Sequence, residues 1–260
     1  MLKAWWRAMR QRRAGNLPPE RLLKLPRHRA GTLQLFGQTW HYRDPLSFYW
    51  SWKEIFGDEI YRFPATGRAP RVIDGGANLG LASLYFLRRY PGARVTALEP
   101  DPGIFALLEK NLAGWPCEGR LRLLPKALAA SDSPRIFQSR GADAGRLSPT
   151  GARGDLTVAC LPLDDLLSEP VDFLKLDLEG AETEVLEASR NLARVKYLFV
   201  EHHSFAGTPR TLDRLLRGLQ EQGFTYWIRS QFMPDRPWEE VRTNEGMDLQ
   251  LNIFAHRTDI

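Results

Sequence analysis

The 260-residue sequence predicts an α/β fold: a mostly parallel, doubly wound seven-strand sheet with its last strand antiparallel, plus an N-terminal α+β extension. Three observations carry this. From Arg71 onward, short apolar runs alternate with segments of helical period. A glycine-rich turn follows the first of those strands. No helical pattern separates the last two strands, so the final one returns against its neighbours.

The elements follow in order. Residues 1–65 read as a Trp/Arg-rich extension and 66–260 as the main domain. Leu2–Ala14 has a helical pattern, and Pro18-Pro19 opens a short helix through Leu25. Thr32–Arg43 alternates as a β-hairpin turning at Gly37, and Pro45–Phe56 is an aromatic helix stopped by Gly57. Val72-Ile73 is a buried strand, Leu79–Arg89 a helix, and Arg94–Leu98 the second strand. Asp101-Pro102 supplies an N-cap and first-turn proline to a helix that buries Ile104, Leu108 and Leu112. Leu121–Leu124 is the third strand. Arg135–Ser139 and Leu156–Leu161 are further strands, joined by a flexible Gly/Ala/Arg/Ser loop over Arg140–Asp155. Asp172–Leu176, a helix over Ala181–Ser189, Lys196–Glu201, a helix marked by Leu212, Leu215, Leu216 and Leu219, and strands Phe224–Arg229 and Leu249–His256 complete the pattern.

Composition bounds the function. Apolar residues make up 43% of the chain, enough for a full core. The net charge of +5 is concentrated in the first thirty residues, where Glu20 is the only acid. This basic stretch, with Trp5 and Trp6, offers peripheral contact with an anionic membrane or reads simply as a solvated helix. Cys117 and Cys160 form neither a disulfide framework nor a thiolate metal motif, which fits a reducing cytoplasm. The expected location is cytoplasmic, with the inner face of the membrane as an option. No nucleic-acid partner is expected, because the basic tail alone is too little and no base-flipping Pro-Pro motif is present. Oligomeric state is not legible.

The turn RVIDGGANLG at 71–80 places Gly75, Gly76 and Gly80 where a backbone must bend tightly and approach a ligand. Asp74 stands directly before the glycines. A carboxylate there repels a pyrophosphate and suits the cationic methionine end of S-adenosylmethionine. Glu99 ends the next strand, where an acid accepts ribose hydroxyls; nicotinamide cofactors use the same device, so Glu99 marks a nucleoside only. Lys126-Ala127-Leu128 follows the third strand, in the loop expected beside the adenine.

A second cluster lies in VDFLKLDLEGAETEVL at 171–186. Asp177 and Glu179 end one strand and face the same crevice; Lys175 is the partner a purely structural role would give them. The next strand ends in FVEHHSF, bringing Glu201, His202 and His203 to that edge. Asp177, Glu201 and His203 form a ligand set for a hard divalent ion such as Mg²⁺. Alternatively a histidine is the base that takes a hydroxyl proton. Strand alternation puts His202 and His203 on opposite faces, so only one reaches the chemistry.

VIDGGANLG, LEPDP, FLKLDLEGAETEVL and VEHH together resemble the FkbM family of methyltransferases, over about residues 70–205. The most specific element is the K-x-D-x-E-G-A-E string at Lys175–Glu182. The resemblance implies the Rossmann-like class I methyltransferase fold, S-adenosylmethionine as cofactor and O-methylation of a sugar or glycan. It implies that Asp74, Gly75, Gly76, Asn78 and Gly80 line the methionine end, that Glu99, Pro100 and Asp101 flank the ribose, and that Ala127 lies by the adenine. Asp177 and Glu179 become active-site acids, with Asp177 also near the cofactor. Glu-x-His matches Glu201 and His203, making His203 the first choice for base or metal ligand and His202 the second. Trp40, Tyr42, Tyr49, Trp50 and Trp52 offer rings to a sugar face or form a satellite core. Competing readings are a methyltransferase of a non-sugar natural product, an NAD-dependent sugar oxidoreductase, and a non-catalytic nucleoside-binding protein.

Overall fold

The computed structural model describes residues 20–117, 119–139, 145–147 and 156–257. The expected helix at Leu2–Ala14, Trp5 and Trp6, and most of the 140–155 loop lie outside them. After a 3-10 turn at Glu20–Lys24 come β1 (Gly31–Leu35) and β2 (Gln38–Tyr42), an antiparallel hairpin. Gly37 at its turn has φ +83°, a conformation costly for any residue with a Cβ. Helix α1 (Pro45–Trp52) continues into a π-turn, Lys53–Gly57. Asp44 caps α1 by accepting from Ser47 N at 2.8 Å, and also binds Arg27 Nε at 2.8 Å and His28 N. Those donors overcome its burial and hold its pKa at about 2.

The main sheet contains β3 (Arg71–Gly75), β4 (Arg94–Leu98), β5 (Leu121–Leu124), β11 (Val171–Leu176), β12 (Val195–Phe205), β13 (Thr225–Phe232) and β14 (Met247–His256). Their order is β13-β14-β12-β11-β3-β4-β5, and β14 alone runs antiparallel, to both neighbours. Helices α2 (Leu81–Arg89), α3 (Pro102–Leu112), α4 (Glu182–Ala188) and α5 (Leu212–Glu221) cross between strands. Two small sheets stand beside it. β6 (Ala127–Ala129) pairs with β10 (Cys160–Pro162), and β7 (Arg135–Ser139) pairs with β8 (Gly145–Leu147) and β9 (Leu156–Val158). The run expected as one strand over 156–161 is therefore split between two sheets, and part of the expected loop is strand β8.

Period two along each strand builds two cores. Val72, Phe173 and Phe199 face one side, with α2, α3 and the extension; Ile73, Leu174 and Val200 face the other, with α4 and α5. The extension's aromatic residues are part of the first core: Trp40 is fully buried, and Tyr61 and Phe63 pack on Phe173, Phe86 and Phe199. Among the described residues no helix is long and apolar enough to cross a membrane.

Candidate active site

Parallel strands β3, β4, β11 and β12 present their carboxyl ends along one edge of the sheet, and the site is assembled there. The turn after β3 reverses through three left-handed residues, Gly76 (φ +74°), Asn78 (φ +48°) and Gly80 (φ +93°). A Cβ on Gly76 would sit 1.9 Å from Asp177 O, so only glycine lets this turn pass the end of β11. Gly76 N and Ala77 N both donate to Leu98 O, at 3.1 and 2.9 Å, which ties the turn to β4.

Asp74 is fully buried. It accepts from Ser83 Oγ at 2.7 Å, and its other oxygen lies 3.4 Å from Lys175 Nζ. Lys175, also buried, donates to Gly76 O at 2.8 Å and Gly75 O at 3.3 Å and lies 3.3 Å from Asp177. Burial pulls the lysine pKa down, but Asp177, Asp74 and Glu201 overcome it and raise it. Asp74 thus ties the turn to α2 through Ser83 and to β11 through Lys175. The structural role considered for Lys175 is the one observed.

Glu99 does meet the turn. Its Oε2 accepts from Asn78 N at 3.0 Å and its Oε1 from Asp101 N at 2.9 Å. Burial raises its pKa to about 7 against those two donors. Asp101 uses Oδ1 to cap α3, accepting from Gly103 N at 2.8 Å and Ile104 N at 3.1 Å. Pro100 is half-buried between the two acids. Ala127 is buried in β6, its N–H bonded to Ala159 O. The fit to S-adenosylmethionine rests on the glycine turn that admits no Cβ, on the buried Glu99 carboxylate, and on acids at the cavity that suit a sulfonium.

His203 is buried at the centre of those acids. Nδ1 lies 3.0 Å from Glu182 Oε1; Nε2 lies 3.8 Å from Glu179, 4.0 Å from Asp177 and 4.0 Å from Glu201. Burial lowers its pKa, but Glu179, Glu182 and Glu201 outweigh burial and raise it well above the ordinary histidine value. Glu182 also accepts from Leu178 N at 2.9 Å and Gly180 N at 3.1 Å, folding the Glu179-Gly180 turn (φ +53° and +106°) back under the imidazole. Burial, then Asp177, pushes Glu201 up to about 8; burial puts Glu179 at about 7.

Asp177, Glu179 and His203 bring one ligand atom each to within 4.8 Å of one another. The sequence expectation had Glu201 in place of Glu179. The difference arises because the left-handed turn swings Glu179 inward, while Glu201 is held by a hydrogen bond from Gln250 Nε2. His202 points to the opposite face of the sheet, buried, with neither ring nitrogen hydrogen-bonded; burial lowers its pKa. It does not join the cluster.

A cavity of about 430 Å³ opens over these acids. Asp177, Glu179, Glu201 and His203 line it together with Trp50, Ser51, Glu54 and Tyr61 from the extension. Sequence reasoning assigned no role to Glu54, Tyr61 or Glu182. Glu182 lies inside the K-x-D-x-E-G-A-E string, which was a signal; the other two sit in a segment with no motif. Of the aromatic group, Trp40, Tyr42 and Trp52 are core, and Trp50 is 48% exposed.

The family model described as methyltransferase FkbM domain matches residues 74–226. Methyltransferase sdnD of Sordaria araneosa is 27% identical over 240 residues, covering 74% of this chain and 92% of its own. The 31-O-demethyl-FK506 methyltransferase FkbM of Streptomyces tacrolimicus is 26% identical, covering 67% and 80%. The 2-O-methyltransferase NoeI of Sinorhizobium fredii is 26% identical, covering 51% and 63%. Among solved structures, a methyltransferase FkbM from Methylobacillus flagellatus aligns at TM-score 0.48 and 18% identity, over 76% of this chain and 46% of that one. With its glycine turn and acid-ringed histidine inside the matched span, the chain belongs to the FkbM family of methyltransferases.

Proposed function

We propose that the chain transfers the methyl group of S-adenosylmethionine to a hydroxyl oxygen of a sugar-type acceptor, in a glycan or glycosylated metabolite. The observation that carries this is His203: Glu182 fixes one ring nitrogen, and the other is turned toward three carboxylates at the cavity wall. Two relatives whose printed names specify an oxygen, 31-O and 2-O, support the choice of atom.

Methyl transfer to a hydroxyl requires loss of its proton. In this reading Glu201, whose burial pushes it up to about 8, takes that proton in its ionised form, so turnover should rise as pH rises through that value. Asp177, Glu179 and His203, once its ring proton is displaced, would offer oxygen and imidazole donors to a divalent cation such as Mg²⁺. Such an ion would supply Lewis acidity, lowering the hydroxyl pKa. In this reading the left-handed Gly76, Asn78 and Gly80 shape the turn at the cofactor and Glu99, bonded to Asn78 N, accepts the ribose hydroxyls.

The test is transfer of labelled methyl from S-adenosylmethionine to a panel of glycosides and polyols, with chelator and after Mg²⁺ is restored. Activity lost and regained supports the ion; full activity in chelator leaves only the version with a side-chain base. No transfer to any hydroxyl acceptor sinks the reading. Asp177→Asn should abolish turnover while the circular dichroism spectrum is kept.

A further inference from the structure

We infer that the N-terminal extension builds the acceptor subsite, and that Glu54 makes it select an uncharged or amine-bearing sugar over one carrying a carboxylate, phosphate or sulfate. The inference rests on the sugar O-methylation reading and names the substrate class within it.

The acids and His203 that line the cavity lie inside the matched span of 74–226; Trp50, Ser51, Glu54 and Tyr61, which line it too, lie outside that span. The first group can thus serve a reaction shared across the family, which leaves the second free to suit the acceptor. Trp50 is the half-exposed ring of that second group. Tyr49 meets it edge-on at 5.4 Å and Lys53 Nζ lies 5.4 Å from its centroid, so packing holds the indole in place. An indole held at a cavity wall offers π surface to the C–H groups of a sugar ring.

Charge then sorts the acceptors. Every described cation lining the cavity is already engaged: Arg27 with Asp44 and Glu245, Lys175 with Asp74 and Asp177, His203 with Glu182. Glu54 has only a hydrogen bond from Gln231 Nε2 at 2.5 Å and no ion pair among the described residues. A hydroxyl or ammonium entering between Glu54 and Glu201 finds acceptors. An anionic group meets Glu54, Asp177, Glu179 and Glu201 in one lining, while the nearest further cations, Lys53 paired with Asp58 and Arg229 acting on Glu54, stand outside that lining, and discrimination of this kind works by repulsion.

The experiment uses the full chain, labelled S-adenosylmethionine and three acceptors that share one ring: methyl glucoside, methyl glucuronide and glucosamine. The expected kcat/KM for the glucoside and the amine exceeds that for the glucuronide by at least about 30-fold. Glu54→Gln should narrow that ratio about tenfold or more while the affinity for S-adenosylmethionine is kept. Trp50→Ala, at a half-exposed position, should raise KM for all three by about tenfold, again with cofactor affinity kept. Glucuronide used as well as glucoside, or a ratio unmoved by Glu54→Gln, overturns the charge selection and leaves O-methylation standing. If no acceptor turns over, calorimetric titration of glucoside and glucuronide decides. Preferential glucoside binding that Trp50→Ala abolishes upholds the subsite; binding of neither, or of both equally, overturns it.

Discussion

At the scale of single residues, Glu182 and Glu99 show how a buried carboxylate is made useful. Glu182 is 1% exposed yet gathers two backbone N–H groups and the His203 ring. Replacing it with glutamine keeps the volume and removes the charge that orients the imidazole. Glu182→Gln is expected to lower kcat about 10- to 100-fold with little change in cofactor affinity, and Glu182→Asp to recover part of that loss. Steady-state kinetics beside cofactor titration read both. Glu99 has an ordinary value of 4.5 raised to about 7. Between those values the folded chain holds a proton that the unfolded chain has lost, so stability falls as pH rises across that window, by roughly 3 kcal/mol. Ribose hydroxyls bind the ionised carboxylate, so affinity for S-adenosylmethionine should increase from pH 6 to pH 8, by about tenfold. Calorimetry on Glu99→Gln should show a flat and weaker profile. An unchanged slope in that variant would remove Glu99 from the cofactor site.

At the scale of elements, the turn between β3 and α2 and the long strand β12 decide the geometry. Gly76→Ala places a Cβ against Asp177 O and forces a left-handed φ on alanine. It should cost about 3 kcal/mol or more of stability and abolish cofactor binding, read by thermal melting with and without ligand. Much of this level was legible in the sequence. Paired glycines straight after an apolar run signal a backbone that must turn where a side chain would clash, and Gly76 does so. Strand alternation likewise sets His202 apart from His203, and His203 is the one grouped with Asp177 and Glu179. The partner of Asp74 was harder to see. Lys175 stands two residues from Asp177, but whether Asp74 faces ligand or lysine depends on packing against β11, a hundred residues away in sequence. The exchange of Glu179 for Glu201 in the tightest ligand group has a similar origin, since a left-handed Glu179 cannot be read from composition.

At the scale of the whole molecule, the extension is built into the sheet's own core. Trp40, Phe48, Trp52, Tyr61 and Phe63 share one cluster with Phe86, Phe173 and Phe199. A chain lacking residues 1–65 is therefore expected to aggregate or to melt far below the intact protein, and Trp40→Ala to cost about 3–5 kcal/mol. Soluble expression and denaturant titration check both. The sequence showed the aromatic content of this segment but not its destination, because rings that pack on a distant sheet carry no periodic mark of it. The placing of β14 between β12 and β13 has a temporal consequence. A nascent polypeptide emerges amino end first. Until β14 is in place, the strand carrying Glu201 and His203 lacks its second neighbour and β13 has none. A chain stopped before Met247 is therefore expected to expose unpaired strand edges and to aggregate, which soluble expression of that truncation checks.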